Sequence, residues 1–141
     1  MAGYSGTPLP QKLGIKPGAR VFLAGEVPAN FVSLLVPLPE GARLLRWPED
    51  HASGAADVLV YFTRRAGQLT ADLVGLSATI TPAGGLWIAW PKKTSKVFTD
   101  LTEDGIRDVA LPLGVVDNKV CAIDEVWSGL RLVWRKGNRP F

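Results

Sequence analysis

The chain contains few of the residues from which catalytic and metal centres are usually built. Its 141 residues include one cysteine, Cys121, and one histidine, His51. A single cysteine excludes an intrachain disulfide, and a lone histidine in a polar loop lacks the partners of a zinc site. We therefore expect no metal, and a domain of this length can bury a sufficient core without such staples.

Long apolar runs are also missing. No stretch approaches the roughly 18–20 apolar residues that a membrane-spanning helix needs. Residues 1–7 lack the charged start and apolar core of a signal peptide, so we expect a cytoplasmic protein with no membrane partner. The formal charge of +3 is a mild excess that says little about nucleic acid. The remaining composition, 47% hydrophobic and 21% charged, is typical of a globular domain.

Strand and helix patterns begin after a leader rich in glycine and proline. Residues 1–19 hold four glycines and three prolines, which predicts an irregular segment, and a single domain is expected over 20–141. Strand-like composition occurs at residues 20–24, 43–47, 57–62, 86–90, 115–123 and 130–135. Helical spacing occurs in a short segment around residues 31–35, over 65–77, and after a predicted N-cap at Thr102.

The order β-α-β-β-α-β-α-β-β predicts an α/β protein with a mostly parallel sheet. Residues 57–62 are apolar on both faces, as expected for a central strand covered by helices. The connection at residues 124–129 is too short for a crossover, so the last two strands should form an antiparallel hairpin at the edge of the sheet.

Ligands in such sheets bind beyond the carboxyl ends of the strands, near the point where the strand order reverses. The candidate ligand-binding residues are therefore those that follow the first four strands: Gly25, Glu26, Trp47, Glu49, Asp50, Thr63, Arg64, Trp90, Lys92 and Lys93. One of the two carboxylates after the second strand could bond a ribose hydroxyl. A solvated loop carboxylate is the simpler interpretation.

The loop after the first strand argues against a nucleotide cofactor. A phosphate-binding loop needs glycines, because backbone N–H groups must approach the ligand. Here Gly25 stands alone, Glu26 would repel a phosphate, and Pro28 removes a donor. We therefore expect neither a dinucleotide nor a phosphate at this loop.

Residues 90–93 carry the sharpest local signal. Lys92, Lys93 and Lys96 place three positive charges beside the indole of Trp90, at the edge where ligands bind. One interpretation is a platform for an anion or a nucleobase, on which the indole stacks and the lysines contact phosphate. The alternative is a buried tryptophan that ends a core strand and is followed by solvated lysines.

Two further features have both a structural and a functional interpretation. Cys121 lies among apolar strand residues without a nearby histidine, so a small buried hydrophobe is expected rather than a nucleophile. The end of the chain is basic, through Arg131, Arg135, Lys136 and Arg139. It could bind an acidic partner, or it could belong to a solvated edge strand that charge protects from aggregation.

The chain has a specific combination of five segments, at residues 2–10, 12–18, 90–93, 100–104 and 119–131. Through them it resembles a small bacterial family, frequent in actinobacteria, that has no established activity. A second, looser set comprises residues 56–60, residues 81–88 and the closing hairpin. Through these, residues 20–136 resemble the class I S-adenosylmethionine-dependent methyltransferases.

The second resemblance implies a three-layer, Rossmann-like fold, with one strand and its flanking helices missing between the second and third strands. The cofactor glycines of that family carry over only to Gly25, and no catalytic residue can be transferred. The leading hypothesis is a non-catalytic binding or regulatory module for a small molecule or a protein partner, which includes a second copy of the chain. The alternatives are a divergent methyltransferase or other small-molecule enzyme, and weak nucleic-acid binding through Lys92, Lys93 and the basic tail.

Overall fold

A computed structural model describes residues 7–138 of the chain. Its strands are β1 (Arg20–Gly25), β2 (Arg43–Arg46), β3 (Ala56–Phe62), β4 (Ile80–Pro91), β5 (Val115–Ala122) and β6 (Trp127–Trp134). Its α-helices are α1 (Leu9–Leu13), α2 (Phe31–Leu35), α3 (Ala66–Thr79) and α4 (Glu103–Ala110). Short 3-10 turns lie at Lys93–Ser95, Leu111–Leu113 and Lys136–Asn138. The predicted α/β architecture and closing hairpin are confirmed.

The six strands form one sheet in the order β2-β1-β3-β4-β6-β5. The first four are parallel, and the strand order reverses between β1 and β3. The hairpin lies at the edge of the sheet, as predicted. Within it the antiparallel strand β6 lies between β4 and β5, so β6 is not the solvated edge strand that its basic residues suggested. The reason is burial, because Leu130 and Leu132 of β6 belong to the core, whereas Lys119 and Val120 of the true edge strand β5 are exposed.

One face of the sheet is covered by α3 and α4. The predicted stripe of α3, Leu69, Leu73 and Leu76, is fully buried, and α3 continues two residues beyond the predicted end. The predicted cap of α4 is confirmed, since the Thr102 hydroxyl accepts the Gly105 N–H at 3.0 Å. α3 has 14 residues, and within residues 7–138 no helix is long and apolar enough to cross a bilayer.

The other face is covered by α1 and α2, and here the predicted irregular leader is wrong at residues 9–13, which form α1. Leu9 and Leu13 are one helical turn apart and pack into the same core as Phe31 and Leu35. Pro10 lies in the first turn of α1, where a missing N–H does no harm. The glycine and proline content therefore concealed a short helix. Residues 1–6 and Arg139 of the basic tail lie outside the described residues.

Trp87 fixes α1 to the sheet. Its indole N–H donates to the Leu13 carbonyl at 3.1 Å, across 74 positions of sequence, and the side chain has no exposed surface. Leu13 is the last residue of α1, where carbonyls have no partner within the helix. One side chain of a central strand thus supplies the hydrogen bond that the end of α1 lacks.

Replacing Trp87 by phenylalanine should therefore lower the free energy of unfolding by about 1–3 kcal/mol, because the Leu13 carbonyl would remain buried without a donor. Trp127→Phe is the matched control, since Trp127 is 9% exposed and its indole donates no hydrogen bond within residues 7–138. Urea unfolding followed by circular dichroism measures both. Equal losses in the two variants would show that the hydrogen bond contributes nothing.

Candidate functional site

Backbone groups close the point where the strand order reverses. Gly25 has a φ of 77°, and a Cβ at this position would clash with the carbonyl oxygen of Phe62. The N–H of Glu26 donates to the same carbonyl at 2.8 Å. β1 and β3 thus remain paired to their last residues. The glycine is required by this close approach of two backbones, and that requirement involves no ligand.

An ion pair lies directly after this closure. A carboxylate oxygen of Glu26 is 2.9 Å from Nε of Arg64, and the Arg64 N–H approaches the second oxygen at 3.4 Å. Thr63, between them in the fold, is fully buried, and its hydroxyl donates to the Gln68 side chain at 3.0 Å. Of the predicted site residues, Glu26, Thr63 and Arg64 therefore bond to groups of the protein itself.

Trp47 packs against α3. Its indole N–H donates to the Thr79 hydroxyl at 3.1 Å, and a Cβ on Gly75 would come within 3.0 Å of its ring. The same hydroxyl is 2.6 Å from Nδ1 of His51 and donates to the Gly75 carbonyl at 2.8 Å. The single histidine is exposed, as a surface loop residue should be, and it also belongs to this packing network.

The carboxylates after β2 are separate from the other candidates. Asp50 accepts the N–H of Arg46 at 2.8 Å and so closes the turn that ends β2, and Glu49 is exposed. β2 is the edge strand, with β1 and β3 between it and β4. The sheet therefore does not bring Trp47, Glu49 and Asp50 together with the residues that follow β4.

An open cleft does lie at the carboxyl end of β4. It has a volume of about 460 Å³ and is lined by the end of β4, by the segment before α4 and by the start of β6, namely Trp90, Pro91, Lys92, Lys93, Thr99, Asp100, Leu101, Thr102, Glu103 and Ser128. We call it the carboxyl-end cleft. Its size is within the range of roughly 300–1,000 Å³ that small-molecule sites occupy.

Lys92 and Lys93 outnumber Asp100, the one carboxylate of this cleft that forms no ion pair in the described chain. Asp100 accepts the N–H of Ala66 at 2.7 Å, and Glu103 pairs with Arg107 at 2.9 Å, so both lining carboxylates already have partners. Every ion pair among residues 7–138 uses an arginine, which leaves Lys92 and Lys93 without a carboxylate. The backbone N–H of Lys92 donates to the Val126 carbonyl at 2.7 Å and fixes the start of this loop.

The accessible group of Trp90 in this cleft is its indole N–H, because most of the ring is buried. The side chain is only 8% exposed and packs in the core, as the alternative interpretation of the sequence predicts. Its indole nitrogen forms no hydrogen bond within residues 7–138. Every buried side-chain nitrogen or oxygen atom in that range does form a hydrogen bond, so the indole nitrogen of Trp90 is not buried. The indole N–H therefore reaches solvent beside Ser128, its neighbour on β6.

Sequence reasoning missed two residues near this cleft. Ser128 reaches it only because β6 is inserted next to β4, which no local pattern signals. Phe98 is 72% exposed in the loop that follows the lysines, two residues after Lys96, which has a φ of 62°. An aromatic residue in an otherwise polar segment was the available signal.

The other titratable candidates show no catalytic arrangement. Cys121 is only partly buried on the edge strand, contrary to prediction, and burial raises the pKa of its thiol although Lys12 and Lys119 oppose that effect. Asp124 accepts the N–H groups of Val126 and Trp127, both at 2.8 Å, as a turn residue. Residues 7–138 contain no cluster of His, Cys, Asp and Glu that could hold a metal ion.

Comparison with solved structures identifies the fold. An S-adenosylmethionine-dependent methyltransferase from Aquifex aeolicus has a TM-score of 0.60, with 12% identity over 86% of this chain and 85% of that protein. A putative type 11 methyltransferase from Sulfolobus solfataricus gives 0.59, with 11% identity over 90% and 89%. The magnesium protoporphyrin IX methyltransferase of Synechocystis PCC 6803, solved with bound S-adenosylmethionine, gives 0.57, with 11% identity over 90% and 74%.

The chain therefore has the Rossmann-like fold of class I methyltransferases. No protein-family model and no curated protein sequence matches it, so the resemblance to a bacterial family remains a prediction. The fold family implies S-adenosylmethionine, but the residues after β1 do not fit that cofactor. Gly25 is the single glycine there, and the Glu26 carboxylate that follows it is paired with Arg64.

Replacing Gly25 by alanine should destabilise the fold strongly. Left-handed backbone at a non-glycine residue costs about 1–3 kcal/mol, and the clash with the Phe62 carbonyl adds to that cost. Gly14→Ala is the matched control, because Gly14 has a φ of 81° and nothing within 4 Å of an added Cβ. Urea unfolding should give a clearly larger loss for Gly25→Ala. Similar losses would mean that β1 and β3 separate easily here.

Proposed function

We propose that the protein is a non-catalytic binding module on a methyltransferase-like fold. The observation that carries this proposal is the closure between β1 and β3, where Gly25 abuts the Phe62 carbonyl and Glu26 pairs with Arg64. A cofactor that contacts Glu26 at that position would have to compete with the Arg64 guanidinium for the carboxylate. The scaffold is retained, while the residues at its cofactor position bind one another.

The carboxyl-end cleft is the binding site that we propose. Trp90 supplies an indole N–H, and Lys92 and Lys93 supply cations without carboxylate partners. These groups suit an anionic group on a small molecule or an acidic side chain of a protein partner. They favour recognition over chemistry, because the cleft's two carboxylates, Asp100 and Glu103, are held by Ala66 and Arg107.

The first test is calorimetric titration of the purified protein with S-adenosylmethionine and S-adenosylhomocysteine. We expect no binding heat at millimolar ligand, because the residues that would contact the cofactor are bonded to each other. The Synechocystis methyltransferase, which crystallises with S-adenosylmethionine, serves as the positive control. One-to-one binding in the micromolar range would contradict the proposal and favour the divergent methyltransferase.

The protein's melting temperature provides an independent readout of the same question. A ligand that binds only the folded state stabilises it by about 2.7 kcal/mol at one hundred times its dissociation constant. No shift with either ligand is expected. A shift without calorimetric heat would still count against the proposal, since binding can be driven by entropy alone.

Weak nucleic-acid binding is the second candidate, and Phe98 favours it. This ring is 72% exposed near Lys92, Lys93 and Lys96, an arrangement suited to stacking on a base while lysines contact phosphates. None of these lysines forms an ion pair within residues 7–138.

This candidate makes a specific prediction for a single-stranded oligonucleotide. Affinity should fall steeply with salt, and Phe98→Ala should weaken binding by about 1–3 kcal/mol, as expected for loss of one stacked base. Val74→Ala is the control, since Val74 is also an exposed apolar side chain, at 61%, and lies on α3 rather than in the lysine loop. Fluorescence anisotropy measures both. A flat binding curve at low salt would eliminate this candidate.

A further inference from the structure

A second cleft lies at the other end of the parallel strands, where their amino ends meet. It has a volume of about 430 Å³ and is bordered by the segment between α1 and β1, the start of β3, the first half of β4 and one side chain of β6. Its polar groups are the side chains of Lys16, Asp57, Thr81 and Arg131. We call it the amino-end cleft. It shares no lining residue with the carboxyl-end cleft, so it is a separate site.

Arg131 is placed in this cleft by a glycine. Arg131 pairs with Trp87 in the register of β6 and β4, and its guanidinium lies over Gly85. A Cβ on Gly85 would lie 2.5 Å from Nε of Arg131, so any larger residue would push the guanidinium away. The glycine therefore lets the side chain lie flat along the sheet instead of extending into solvent.

The guanidinium of Arg131 is half-buried and has no anionic partner within residues 7–138. Its hydrogen bond there is a long one of 3.3 Å from Nη1 to the Asn118 side chain. The described ion pairs use Arg20, Arg64 and Arg107 instead. Burial lowers the pKa of Arg131, as expected for a cation that loses water without gaining a carboxylate. Most of its N–H donors remain available.

The other polar groups of the cleft complete a positive environment. Lys16 is exposed and forms no ion pair within residues 7–138, and the Thr81 hydroxyl has no hydrogen-bond partner there. The lining carboxylate, Asp57, accepts the Arg20 N–H at 2.8 Å and lies 3.6 Å from its guanidinium. Its charge is thus already compensated. Two cations and one hydroxyl remain to meet a ligand.

We propose that the amino-end cleft binds a small dianion of the phosphate or dicarboxylate class. Two oxygens of the ligand pair with the guanidinium of Arg131, whose planar donors match such groups in a bidentate manner. Lys16 supplies the second positive charge, and the Thr81 hydroxyl donates one further hydrogen bond. An anion of this kind offsets the cost of holding Arg131 half-buried, which no other group in the described chain does.

Titration with inorganic phosphate, at a pH above its second pKa, and, separately, with succinate tests this proposal and distinguishes the two ligand classes. Both are added at constant ionic strength, and binding is followed by calorimetry. We expect one-to-one binding of at least one of the two. Arg131→Gln should weaken it by about tenfold or more, as for loss of one hydrogen-bonded charge pair. Lys16→Gln should weaken it less, since Lys16 is exposed.

Arg43→Gln is the matched control, because Arg43 is an exposed arginine on β2 that forms no ion pair within residues 7–138. It changes the net charge by the same amount and should leave the affinity unchanged. An equal loss in Arg43→Gln would show that anions respond only to overall charge and would overturn the proposal. Absence of binding by both ligands would overturn it as well.

Thr81→Val keeps the proposal testable if Arg131→Gln fails to fold. It removes one donor without altering charge, and we expect about a threefold loss of affinity, within the range for a neutral hydrogen bond. Unchanged affinity in Thr81→Val and Lys16→Gln together would place the anion elsewhere and reject the site.

Discussion

The close approach of β1 and β3 at Gly25 is the constraint on which the rest of the structure depends. In open α/β sheets the strand order reverses at a crevice, because neighbouring connections leave toward opposite faces. Here the ladder between β1 and β3 continues as far as the Glu26 N–H and the Phe62 carbonyl, and the Glu26–Arg64 ion pair lies directly after it. Two clefts with unpaired cations lie at the carboxyl end of β4 and at the amino ends of the parallel strands.

The second face of the sheet is covered by short helices. Of the helices within residues 7–138, α1 and α2 cover it, and each has five residues, too few to be stable alone. Their stability must come from packing, and the core there includes Phe31, Phe62 and Trp87. Phe62 contacts Phe31 and Trp127 edge to face, with ring centres 4.7 and 5.1 Å apart. Large aromatic side chains in the strands thus compensate for short helices.

The sequence predicts the elements whose apolar residues either recur with a helical period or occupy both faces of a strand. β3, the stripe of α3 and the Thr102 cap follow from local patterns, and all three are present. α1 was missed because a five-residue helix with proline in its first turn has almost no local signature. Its stability comes from Trp87, 74 positions away. The position of β6 inside the sheet is likewise decided by long-range burial.

The candidate site follows the same logic. The ends of the strands can be located from the sequence, and they include Lys92 and Lys93. The hydrogen-bond partners of the candidate side chains cannot be predicted in this way. Glu26 is occupied by Arg64, Trp47 by Thr79, and Asp100 by Ala66, each across at least 32 positions. The net charge does not indicate where a ligand would bind, because Arg64 and Arg107 form ion pairs with carboxylates of the protein itself. The unpaired cations that line the two clefts are Lys92 and Lys93 at the carboxyl end of β4 and Arg131 with Lys16 at the amino ends of the parallel strands, and only the folded arrangement places them in these two groups.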